Sequence, residues 1–127
     1  MTMRLVHALA AIVFVVAILV QVFLAGAALL QLGGNGDFAS HREFGYTEVG
    51  LAALAVLVTA ILAKVGRRRI GLSALLLILY IVQTLLPAAR SSIPAVAALH
   101  PVNAMLLFGL AAWFAWTAWR DRAVAIA

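Results

Sequence analysis

The sequence predicts an all-α integral membrane protein, a four-helix bundle made of two tandem two-helix repeats with both termini on the cytoplasmic side. Three observations carry that expectation. Apolar runs are long enough to cross a bilayer, Lys and Arg crowd one set of helix ends, and a Gln and a His recur at matching places in the two halves. Of 127 residues, 67% are hydrophobic and 10% charged, and mean hydropathy is +1.17. So little polar surface cannot cover a water-soluble domain. Spanning about 30 Å of hydrocarbon takes roughly 20 apolar residues, so the chain has room for four spans, short loops and no separate soluble domain. The formal charge of +5 sits at helix ends and in one short loop, which makes it topological information and excludes a nucleic-acid surface. The absence of cysteine excludes disulfides, thiolate metal sites and thiol catalysis.

The first helix is expected over 5–32, a run without charge that is interrupted by His7, Gln21 and Gln31. Ala25-Gly26-Ala27 has the look of a signal-peptidase site, but the apolar run far exceeds the roughly 7 to 15 residues of a signal core. Gly33-Gly34-Asn35-Gly36-Asp37 reads as a turn, and Asp37 or Ser40 as the cap of a second helix over 38–63. The uncharged stretch from Val49 to Ala63 rises only about 22 Å. Helix two must therefore draw its polar first turns, Glu48 included, to the membrane interface or below it. Lys64 to Arg69 reads as a basic loop, 70–89 as helix three, and 95–119 as helix four, which follows a loop through Arg90, Ser91, Ser92 and Pro94. Trp113, Trp116 and Trp119 fall at helical spacing where interfacial anchors are expected.

The two halves match. Gln21 within Leu19 to Leu24 parallels Gln83 within Ile81 to Leu86, and His41 nine residues before Gly50 parallels His100 nine residues before Gly109. Each half holds two spans, so the halves share one orientation, related by a pseudo-twofold axis along the membrane normal. Helices two and four become diagonal partners, roughly 11 to 14 Å apart for neighbouring axes at about 8 to 10 Å. His41 and His100 then face each other at equal depth across a gap that admits a flat macrocycle.

Those two histidines are the candidate metal ligands. Histidine is a standard axial ligand of haem iron, and a bis-histidine site on facing helices asks nothing further of the protein. Zinc or copper needs three or four ligands, and no Cys and no third histidine at the outer ends is available. Gly45 and Ala104, each four residues past a histidine, suit either a porphyrin face or close helix packing. Arg42 and Arg90, the two basic residues of the outer ends, suit either haem propionates or solvent. Gln21 and Gln83 are expected to bond each other across helices one and three or to lie beside a ligand. Glu48, seven residues after His41, falls on nearly the same helical face as a proton site or an ion-pair partner. His7 is expected at the interface.

His41-Arg42 opening helix two and a second histidine 59 residues later opening helix four resemble one half of haem A synthase, each half of which is a four-helix bundle with haem-ligating histidines. The departures are plain: that enzyme has eight helices and two sites, Phe38 stands where it often carries a glutamate, and its outer-loop cysteine pair is absent. The resemblance implies haem binding and leaves its oxygenating activity without the second site. Gln21 to Gly26, His41-Arg42 and Leu99 to Asn103 also resemble small four-helix membrane proteins of actinobacteria and related bacteria, a group with no established activity.

The function expected is a haem b protein of the bacterial cytoplasmic membrane, transferring electrons to a redox partner or within a larger membrane complex. A cofactor-free accessory subunit or small transporter is the alternative, a haem-modifying enzyme a third, and whether the protein is an enzyme at all stays open. A homodimer would restore eight helices. Arg4, Lys64, Arg67, Arg68, Arg69, Arg120 and Arg122 lie at one set of ends, against Arg42 and Arg90 at the other. That split predicts that reporter fusions after Ile126 and within Lys64 to Arg69 report cytoplasm, and one within Gly33 to Asp37 the outside. An external C-terminal reporter overturns the orientation.

Overall fold

The computed structural model describes residues 2–122. Four helices are long and apolar enough to cross a membrane: α1 Met3–Ala28, α2 Ala39–Leu62, α3 Arg67–Ser91 and α4 Pro94–Asp121. They pack in a ring in which α1 touches α2 and α4, and α3 touches the same two helices from the other side. The core is small and Ala-rich. Ala8, Ala11, Ala53 and Ala111 bring the helices close, and Phe14, Phe114, Leu76 and Val56 fill the centre. Large apolar side chains instead cover the outside, among them Val22, Phe23, Leu51, Met105, Leu106 and Trp116. Helices held by small interior residues, with bulky apolar groups facing out, form a surface suited to lipid.

Helix ends differ from the expected bounds for local reasons. The first helix stops at Ala28 rather than continuing to 32, because the glycine turn folds back on it. Gly36 N–H donates to Ala28 O at 2.9 Å, and Gly33 takes φ +86°. A Cβ at Gly34 would stand 2.3 Å from Ala27 O, so only glycine fits there. Phe38 stands at the N-cap of α2 without a side-chain cap, and Asp37 just before it closes a turn, its carboxylate accepting from Ala39 N–H at 2.8 Å. The basic stretch is split: Lys64 at φ +49° and Gly66 at φ +93° make the turn, while Arg67, Arg68 and Arg69 form the first turn of α3. The last six residues of α3, Leu86–Ser91, tighten into a 3₁₀ turn, because Pro87 has no N–H for the α-helical bond.

One irregularity lies inside a span. Gly45–Val49 of α2 forms a π turn, and the Tyr80 hydroxyl of α3 reaches its Gly45 and Tyr46 carbonyls at 3.1 and 3.3 Å. Tyr80 passes close to Gly50, where an added Cβ would meet the phenol oxygen at 2.5 Å. Gly50→Ala should therefore lower the Tm of the detergent-purified protein, and the loss should largely vanish in a Tyr80→Phe background. That background itself costs about 1 kcal/mol for the lost hydrogen bond. Equal losses in both backgrounds would place the constraint elsewhere than the tyrosine hydroxyl.

Candidate functional site

Both halves build the same polar clasp. In the first, His41 Nδ1 donates to the Gln21 backbone carbonyl at 3.0 Å, while the Gln21 side-chain amide lies 3.3 Å from His41 Nε2 and donates to His41 O at 2.8 Å. In the second, His100 Nδ1 donates to Gln83 O at 3.0 Å, and the Gln83 amide donates to His100 Nε2 at 3.1 Å. A carbonyl oxygen can only accept, so in each ring the proton sits on Nδ1 and Nε2 presents its lone pair. Histidines that bind metals through Nε2 commonly have Nδ1–H held by a carbonyl in the same way.

The two rings stand side by side across the diagonal from α2 to α4, with centroids 6.4 Å apart and planes at 74°. Two imidazole nitrogens on one first-row metal at roughly 2.0 to 2.1 Å, with about 1.1 Å from each nitrogen to its ring centre, need centroids about 6.3 Å apart. The centroid separation matches that figure, while each Nε2 faces the Gln amide of its own half, so a metal would have to displace both amides.

The halves are not identical around this clasp. Asn103, 8% exposed, donates to Gln83 Oε1 at 2.8 Å and to Leu79 O at 3.0 Å. The equivalent residue three past His41 is Phe44, and Gln21 Oε1 is buried without a partner. Gly45 lies directly over Gln21, where a Cβ would meet the amide nitrogen at 2.6 Å. Gly45 therefore accommodates the Gln21 side chain, and Ala104 is half-buried one turn beyond His100.

The other predicted residues distribute as follows. Gln21 and Gln83 do not bond each other, because α1 and α3 sit diagonally and each amide is engaged by the histidine of its own half. Arg42 and Arg90 are exposed. Glu48 is exposed and accepts from the adjacent Thr47 hydroxyl; the π turn rotates it off the His41 face that regular α-helical spacing assigns it. His7, near the start of α1, turns into the bundle and is 1% exposed. Its Nδ1 lies 3.1 Å from Thr59 Oγ1, and its ring stands edge-on to Phe114 at 5.5 Å. Sequence reasoning gave no role to Asn103 or Thr59. An amide three residues after His100, on the same face of an apolar helix, was the available sign for the first.

Fold and site together define a class: a four-helix protein of membrane-compatible hydropathy with a twofold-repeated Gln–His clasp at one end. Residues 21–89 match a family described as a family of unknown function (DUF6220), and with more than half of its length matched the chain belongs to that family. No curated protein matches this chain, and no solved structure does. The matched stretch takes in Gln21, His41 and Gln83 and ends before His100 and Asn103.

Asn103→Ala leaves Gln83 Oε1 and Leu79 O without the donor they share, which should lower stability by about 1 to 3 kcal/mol. Thermal unfolding in detergent measures it. An Asn103→Ala protein as stable as wild type would show that this amide is not what steadies the second clasp.

Proposed function

We propose that this chain is a multi-pass protein of the bacterial cytoplasmic membrane that holds one haem b between His41 and His100 near the outer face and passes electrons through it. The observation that carries the reading is the pair of Nε2 lone pairs, held in the ligating tautomer by the Gln21 and Gln83 carbonyls on rings 6.4 Å apart. The seven-to-two division of Lys and Arg supports cytoplasmic termini, and the matching clasps support descent from a duplicated helix pair. Likeness to haem A synthase rests on the histidine placement alone.

His41 and His100 would hold the iron, and Arg42 and Arg90 at the same ends of the helices supply the charges for propionates. Haem, when bound, supplies a reversible one-electron couple. The protein fixes both imidazoles through the Gln carbonyls; with both histidines holding the iron, no position would be left for oxygen, which favours electron transfer over oxygen chemistry. A redox protein in or beside the membrane is the partner this requires. The same geometry supports a second reading, a cofactor-free accessory subunit, because the amides already satisfy the Nε2 atoms; the clasps would then be interhelical glue.

Purified in detergent from haem-replete cells, the protein should carry about one haem b per chain, low-spin and six-coordinate, with little carbon monoxide binding. His41→Ala and His100→Ala should each abolish that spectrum or convert it to high spin. His7→Ala should leave it unchanged. Colourless haem-replete preparations, or wild-type spectra in both outer variants, sink the haem reading and leave the accessory subunit.

A further inference from the structure

We propose that the arginine-rich end of the molecule, opposite the His41 clasp, binds a phosphate group that carries a proton, using Arg4, Arg69, Arg122 and His7. A cavity of about 160 Å³ opens there among the ends of α1, α3 and α4, lined by these residues with Ala118 and Asp121. At about 30 Å³ per water it has room for several waters, and hence for a phosphate group.

Charge selects an anion. Three guanidinium groups line the cavity against one carboxylate, and that carboxylate is committed, with Arg69 Nη2 on Asp121 Oδ2 at 2.5 Å. Arg4, one turn before His7 on the same face of α1, has no side-chain hydrogen bond or ion pair among the described residues. Arg122 lies over the Trp119 ring and donates to the Trp119 carbonyl, which leaves its other guanidinium N–H groups for a ligand. Arginine forks match tetrahedral oxyanions bidentately, and basic pockets between helix ends are where anionic headgroups bind membrane proteins.

His7 narrows the class. The Thr59 hydroxyl has one hydrogen, given to Ala55 O at 2.6 Å, so in the Thr59–His7 contact the Nδ1 is the donor and the hydroxyl accepts. Nε2 is then an acceptor, and it is a buried polar atom without a partner, closed to water on a side chain that borders the cavity, so a donor in the cavity reaches it once the ring turns outward. Such an atom calls for a donor. A ligand that answers both the arginines and this nitrogen is an oxyanion that also offers an O–H, which a phosphomonoester or hydrogen phosphate does and a phosphodiester does not. The source is either a monoester headgroup such as phosphatidic acid or free phosphate.

The test uses the full chain in detergent, with thermal unfolding followed against inorganic phosphate, sulfate, short-chain phosphatidic acid and short-chain phosphatidylmethanol, an anionic diester without a hydroxyl. A saturable rise in Tm with phosphatidic acid or phosphate, weaker with phosphatidylmethanol or sulfate, is expected. Response to phosphate alone in lipid-free micelles assigns a free-phosphate site; response to phosphatidic acid alone assigns a headgroup site. Arg4→Gln, at an exposed position, should weaken binding at least about tenfold. His7→Phe, which keeps an aromatic ring against Phe114, should bind monoester and diester alike. Should His7→Phe fail to unfold cooperatively, the wild-type ligand preference and Arg4→Gln decide. No saturable shift, equal responses to monoester and diester in wild type, or a response that survives Arg4→Gln overturns the proposal.

Discussion

Polar groups inside an apolar four-helix protein have to satisfy one another, and the Gln–His clasp is where this chain meets that demand. Gln21 and His41 belong to helices joined by a glycine turn, and Gln83 and His100 to helices joined by a proline-containing one, yet each pair makes the same two contacts. A backbone carbonyl in a helix is ordinarily spoken for by the amide four residues on. Gln21 O takes a second bond from the His41 imidazole, using its other lone pair, whereas Gln83 O, whose residue four on is Pro87 without an N–H, is left open for His100. The imidazole bond sets the depth at which the second helix of each pair begins relative to the first. It also fixes the tautomer, so the local packing requirement and the chemical character of the histidines are settled by one interaction.

The four long apolar helices, the turn before α2 and the recurrence of a Gln and a His were legible in the sequence because each follows from local pattern: run length, glycines next to a carboxylate, equal offsets in two halves. What was not legible depends on neighbours from another helix. The π turn at Gly45–Val49 goes with a hydroxyl from Tyr80 on α3, and it displaces Glu48 by a fraction of a turn that no spacing rule on α2 alone contains. His7 has no partner within its own helix. Only the packing of α1 against α2 brings Thr59 to it, so its turn into the bundle was not legible from α1 alone. The beginning of α3 at Arg67 hinges on Gly66 at positive φ, a conformation that composition suggests but cannot assign.

The two ends of the molecule solve opposite problems. At the clasp end, few charges are present and the imidazoles are held between backbone carbonyls and side-chain amides. At the other end, guanidinium groups gather around a single carboxylate and the tryptophans, with Arg120 4.8 Å from the Trp116 ring centre. Cations stacked on indole at a helix end anchor that end in an interface while their charge stays hydrated. An orphaned acceptor occurs at each end, Gln21 Oε1 and His7 Nε2. Both belong to α1, and both lie beside a place where a ligand is proposed.

The orphan at Gln21 bears on how equivalent the two histidines are. A pseudo-twofold axis predicts equal ligands, and to first order the ring contacts are equal. Asn103 breaks that symmetry by pinning Gln83 from its far side, whereas Gln21 has Gly45 against it and no donor for its oxygen. Moving Gln83 off His100 costs a buried hydrogen bond as well as the one to the imidazole. For Gln21, the oxygen has no such bond to lose, though its amide must leave the His41 carbonyl. On the proposed reading, Asn103 resists ligation at His100 and no counterpart resists it through the Gln21 oxygen. The two halves would thus hold one metal between ligands of unequal readiness, with the inequality traceable to Phe44 standing where the second half has Asn103.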